Sequence, residues 1–190
     1  MMTTMNKFIT AAMIQGAIFV GLTIFLVLGQ ISLMKPEVSR VIAAGGAGTW
    51  FTMGYIMYLV IGVIGVAASA VFYLYFEKIL EKPYRKNKVA NILSWIHLLF
   101  MNIGTTIGMG MMMYVGYVGG ASMLPVSAGG KGLDAGQTHH ILAPLVEPIG
   151  IAILIIAFGV IAGGIGFLLR NNKKLSVKEY KQEEDKQQIL

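Results

Sequence analysis

The chain has 190 residues, 56% hydrophobic and only 13% charged, with a formal net charge of +6. A soluble domain carries about a quarter charged residues, so this composition excludes an ordinary soluble enzyme. Cys is absent, which excludes disulfides, thiolate metal sites and cysteine nucleophiles.

Four nearly uncharged stretches, 8–34, 41–76, 89–130 and 135–169, are each long enough to cross a bilayer. A hydrocarbon core needs about 20 apolar residues. The expected fold is all-α: a polytopic membrane protein, a four-transmembrane-helix bundle over residues 1–169, with a charged tail at 170–190. The first span is 8–34. It is longer than the apolar core of a signal peptide, about 7–15 residues, and is expected to persist as a helix. A loop with Pro36 and the run Ala43–Gly48 leads to the second span, 49–79. The charged stretch 77–88 ends it. The third span runs over 89–118, where Gly119-Gly120 stops it, and a flexible Gly-rich loop is expected over 119–139.

The fourth span is expected at 144–169. Pro144 and Pro148 suit the first turns of a helix, and Glu147 would sit at the positive end of its dipole; a proton or cation site is the alternative reading of Glu147. In the tail, Ser176 and Glu179 have the spacing of a capping box for a short surface helix, with a disordered tail the alternative.

Charge sets the orientation. The N-terminus, the second loop and the tail together carry twelve Lys and Arg, and the opposite side carries Lys35, Arg40 and Lys131. The positive-inside rule then puts both termini in the cytoplasm. The excess positive charge lies beside spans, where it meets anionic lipid. The expected partners are the lipid bilayer and other integral membrane subunits, with no nucleic acid, and the expected location is the cell membrane.

Small residues recur at four-residue spacing: Ala12/Gly16, Ala17/Gly21, Gly104/Gly108, Gly116/Gly120 and Gly159/Gly163. Such pairs let helix backbones approach closely in lipid. They read as packing within the bundle, and Gly116, Gly120, Gly159 and Gly163 also as surface offered to partner subunits.

His97 is the ionisable residue inside a span, and such residues are costly and often functional. Helical spacing puts His97, Met101, Gly104 and Gly108 on one face. An imidazole followed by glycines suits a haem, with Met13 a candidate second ligand. A hydrogen-bonded structural His and a proton relay are the alternatives. A second set, His139, His140, Met113 and Asp134, combines imidazole and thioether and suits copper. Its alternative is an interfacial His pair with Met as core filler. No Walker loop, triad or HExxH motif occurs.

The segment Trp95-Ile-His97-Leu-Leu-Phe-Met-Asn-Ile-Gly104, with Gly108, resembles helices of the haem–copper oxidase subunit I family. The likeness covers one helix, and a catalytic haem–copper centre does not carry over. It implies membership of a respiratory, oxidase-like assembly with His97 as a haem contact. The length and the lack of soluble parts also suit an accessory subunit of a copper membrane monooxygenase. The expected function is thus a non-catalytic accessory subunit of a redox complex. A small haem- or copper-binding electron carrier and a small channel or transporter are the alternatives.

Overall fold

The computed structural model describes residues 3–171. Among these residues every regular element is helical and no strand occurs. Helix α1 spans Thr4–Leu33, a short α2 Val38–Ala43, α3 Gly46–Ile79, α4 Lys88–Met123 and α5 Ala135–Arg170. The four long helices are each apolar enough to cross a membrane. The chain is a multi-pass helical membrane protein. Ser176 and Glu179 lie outside the described residues.

Helix α4 is the hub. It carries α5 along one flank and α3 along the other, and α1 rests mainly on α3. Glycine makes the two main seams close. A Cβ at Gly116 would overlap the backbone nitrogen of Phe51, and one at Gly54 would lie 2.8 Å from the carbonyl oxygen of Met109. On the other flank, a Cβ at Gly104 would lie 2.7 Å from Ile156, and one at Gly159 2.9 Å from Phe100. Gly120 meets Val41 of α2, and Gly163 meets the ring of His97. Close approach replaces the hydrophobic force that lipid does not supply. The glycines at 116, 120, 159 and 163 are therefore taken up inside the bundle, not offered to partners. Of the glycines in the four-residue pairs, Gly21 is the exception, with no atom near the place of its Cβ.

Helix α1 is held differently. Only 6% of its most apolar window is buried, and Ile18, Val20, Ile24, Leu28 and Ile31 all face outward. Polar groups hold it at several depths. The Glu77 carboxylate accepts from the backbone N–H groups of Thr4 and Met5, each at 3.0 Å. Gln15 bonds to α3 and α4, the Thr23 and Tyr55 hydroxyls are 2.8 Å apart, and Gln30 donates to Ser39 at 2.9 Å. Phe8, fully buried, is the main apolar anchor.

Three boundaries depart most from the sequence expectation. Helix α5 starts nine residues earlier than Pro144, at Ala135. The cause is a reciprocal cap: Gln137 N–H donates to Asp134 Oδ1 at 2.8 Å, and Asp134 N–H to Gln137 Oε1 at 3.1 Å. Pro144 and Pro148 are thus interior, four residues apart on one exposed face. A membrane helix tolerates such gaps better than a soluble one. Glu147 is consequently about three turns inside α5 and exposed, so it is not a first-turn dipole residue. Helix α4 continues past Gly119-Gly120 to Met123 because both glycines are contact points, Gly119 against Leu142 and Gly120 against Val41. The loop that follows is ordered by its own backbone, with Gly132 N–H donating to Leu124 O at 2.8 Å and Leu133 N–H to Ser122 O at 2.9 Å. Last, the run before α3 contains helix α2, and Gly45 at φ +88° makes the turn between them. That conformation excludes ordinary L residues.

Candidate functional site

The buried chemistry lies between α1, α3 and α4, in two clusters. The first surrounds His97, 4% exposed. Helix α4 brings His97 and Met101 onto one face, one turn apart, and α3 supplies Ser69 and Tyr73. His97 Nδ1 lies 3.1 Å from Tyr73 Oη, and Nε2 lies 2.9 Å from Met101 Sδ and 3.4 Å from Ser69 Oγ. Ser69 also donates to the Gly65 carbonyl at 2.9 Å, so its hydroxyl proton is spent within α3. Phe8 stands 5.0 Å from the imidazole and Phe167 6.2 Å, edge to face. Gly163 of α5 closes the remaining side: a Cβ there would come within 2.6 Å of His97 Cε1.

This geometry does not fit a haem. Both ring nitrogens of His97 have partners, and aromatic rings and Gly163 cover the imidazole. The notches at Gly104 and Gly108, which a porphyrin would need, face Ile156 and Ala152 of α5. Met13, the candidate second ligand, is 71% exposed on the outer side of α1.

The second cluster sits one turn further along α4. Gln15 of α1 donates through Nε2 to Asn102 Oδ1 at 3.0 Å and reaches Thr106 Oγ1 at 3.2 Å. Its Oε1 accepts from the Tyr58 hydroxyl. Asn102 in turn donates to the Leu98 carbonyl at 2.7 Å. Tyr58 opens a π-helical stretch of α3, Tyr58–Gly65, which ends where Ser69 returns its hydrogen bond. Wide π turns of this kind re-aim side chains and recur at functional sites. Asn102 and Thr106 were legible as polar residues of a span. Gln15 was missed, although a lone Gln in an apolar helix is itself a signal; Tyr58 had none.

The copper set is not assembled in the same way. Met113 is buried with Phe51, Tyr58 and Ile149. His139 and His140 are exposed in the first turns of α5, and Asp134 is engaged as the α5 cap. Among the described residues no three His, Asp or Glu side chains converge on a point.

At the end of the bundle where α1 begins and α5 ends, Arg170 is 6% exposed and donates to the Pro83 carbonyl at 3.2 Å. It faces Tyr84, whose ring lies 5.9 Å away. Tyr84 is fully buried and its hydroxyl has no hydrogen-bond partner among the described residues. Burial pushes its pKa above the ordinary tyrosine value; Arg170 opposes the shift and Glu77 adds to it. At the other end, Glu37 bridges Lys35 and Arg40 at 2.8 and 3.0 Å. The hydrogen bond from Lys35 holds the Glu37 carboxyl below its usual range.

No protein-family description, curated protein or solved structure matches this chain.

Proposed function

We propose that this protein is an accessory, non-catalytic integral membrane subunit of a multisubunit redox complex, with both termini in the cytoplasm. The observation that carries the assembly reading is helix α1. It is tied to the bundle by polar rungs and a narrow apolar seam that includes Phe8, Phe19, Leu22 and Leu26, and it turns a continuous apolar face outward that includes the open Ala17/Gly21 pair. A partner helix can approach at that pair as closely as α3 approaches α4. The non-catalytic reading is supported by the use of the buried polar groups: Gln15, Asn102, Tyr58 and Tyr73 are each engaged in joining one helix to another. The redox assignment rests on the resemblance around His97, and the orientation on the distribution of Lys and Arg.

Native electrophoresis in mild detergent tests the reading directly. The protein should migrate with other membrane polypeptides in a band that carries haem or copper. A cysteine placed at Ala17 in this Cys-free chain should cross-link to one of them. Migration as a single polypeptide with no cross-link at position 17 would overturn the subunit reading. A defined assembly without any redox centre would overturn the redox part alone.

A further inference from the structure

We propose that the groove between α1, α2 and α3, at the Lys35 end of the bundle, holds one glycerophospholipid, with a hydrocarbon chain in the groove and the phosphate beside Arg40. The inference is independent of the subunit reading.

The groove has a volume of about 430 Å³. Its apolar walls are Leu26, Val27 and Ile31 of α1, Val38 and Ile42 of α2, and Phe51 of α3. Its polar members, Thr23, Gln30, Ser39 and Tyr55, form two rungs at different depths. The deep rung is closed. Thr23 donates to the Phe19 carbonyl at 2.8 Å, so its oxygen accepts from Tyr55 and no hydroxyl proton is left over. The shallow rung is open. Gln30 Nε2 donates to Ser39 Oγ at 2.9 Å, and Ser39 N–H donates to Gln30 Oε1 at 2.9 Å. The Ser39 hydroxyl proton and the second amide proton of Gln30 have no acceptor among the described residues. Gln30 follows Thr23 by two turns, so these donors form a mouth about 10 Å above the deep rung.

Charge lies just beyond the mouth. Lys35 and Arg40 bridge Glu37 at 2.8 and 3.0 Å, so two cations share one carboxylate and the rim keeps a positive excess. Arg40 follows Ser39 directly and its side chain is 57% exposed. A guanidinium carries five N–H donors, more than a carboxylate shared with Lys35 takes up, so Arg40 retains donors for a second anion.

Polarity thus runs in one order along the groove: cations at the rim, neutral donors at the mouth, apolar walls below. A glycerophospholipid carries the complementary order of phosphate, glycerol oxygens and hydrocarbon chain. The depth agrees as well. Lys35 is the first charge after the apolar run of α1, and Gln30 precedes it by little more than one turn. The mouth therefore falls at the edge of the hydrocarbon core. A transmembrane helix from a partner would match the walls but not the mouth, because it spends its backbone acceptors on itself.

The test is native mass spectrometry of the purified full-length protein, delipidated in detergent and reloaded with palmitoyl-oleoyl phosphatidylglycerol. One lipid per chain should bind well before any further ones. Val27→Trp fills the groove from its exposed wall and should lower that first affinity at least tenfold. Leu28→Trp, at the same depth but outside the lining, should leave it unchanged. Arg40→Gln should weaken it about fivefold, the worth of one cation at a membrane surface. Ser39→Ala removes a donor from the mouth and should weaken it about 2–10-fold. Circular dichroism of each variant establishes that it is folded. The site is overturned if no first equivalent stands apart in the wild type, if that equivalent survives Val27→Trp or is lost equally with Leu28→Trp, or if neither Arg40→Gln nor Ser39→Ala moves it. A cysteine at Ile31 that cross-links to a membrane polypeptide in intact cells would put a partner helix in the groove and overturn it too.

Discussion

Replacing Gln15 with Leu tests how α1 is held. The change makes an apolar helix more apolar, so hydropathy alone predicts a neutral or stabilising effect. The structure predicts the opposite. Gln15 is 4% exposed and joins Asn102, Thr106 and Tyr58. An interhelical hydrogen bond in a membrane is worth about 0.6 kcal/mol on average and about 1.7 at most. Three such bonds sum to about 2 kcal/mol at the average value. Leaving the Tyr58 hydroxyl and the Asn102 carboxamide oxygen buried without Gln15 adds about 1–3 kcal/mol, less whatever those groups recover locally. The expected loss is about 2–4 kcal/mol, against a typical total stability of about 5–15. Reversible unfolding in mixed detergent micelles, followed by circular dichroism, measures it. Tyr58→Phe should cost about 1 kcal/mol, because it removes one bond. The pair Gln15→Leu with Asn102→Leu should cost less than the sum of the two single changes, since no widowed partner remains between them. Ile18→Leu, on the outward face, should be silent. A Gln15→Leu protein as stable as wild type would refute the claim that polar rungs hold α1.

Three further outcomes are expected. Gly116→Ala should cost at least about 1–3 kcal/mol as an overpacked contact, because its Cβ has no place beside the Phe51 backbone, whereas Gly110→Ala, which meets open space, should be neutral or slightly stabilising in the same unfolding assay. In intact cells a cysteine at position 128 should react with an impermeant maleimide and one at position 81 should not; the reverse pattern would invert the orientation. Tyr84 is held neutral in the fold, so above a pH of about 10, the ordinary tyrosine value, the folded state retains a proton that the unfolded state releases, and stability falls as pH rises. Tyr84→Phe should remove that part of the alkaline loss in thermal unfolding scans made at several pH values.

The four spans were legible because lipid imposes a crude and strong requirement: length and apolarity, with no demand on periodicity. The ends were less legible because different forces decide them. Asp134 and Gln137 start α5 through two local hydrogen bonds, and neither residue stands out beside the prolines that follow. Gly119-Gly120 resembles a stop signal, yet both glycines are close-packing points inside α4. The same ambiguity runs through every glycine of this chain. Gly45 is a conformational necessity, Gly116 a contact, Gly21 an open surface, and only their neighbours in space distinguish them.

His97 was identifiable as a site from one residue type at one depth, but its chemistry was not. The glycines that suggested room for a porphyrin, Gly104 and Gly108, are occupied by α5, which lies more than forty residues away in the chain. What remains of the face is Met101, and the residues that give the pair meaning, Ser69 and Tyr73, come from α3. Helix spacing can place an imidazole beside a thioether. It cannot show that a tyrosine from another helix controls the proton on the far ring nitrogen. With Tyr73 and Met101 as its partners, His97 is a satisfied core residue. Tyr73→Phe removes one of those hydrogen bonds and should cost about 1 kcal/mol of stability in the same unfolding assay; a loss near zero would show that the Tyr73 hydroxyl does not hold the ring.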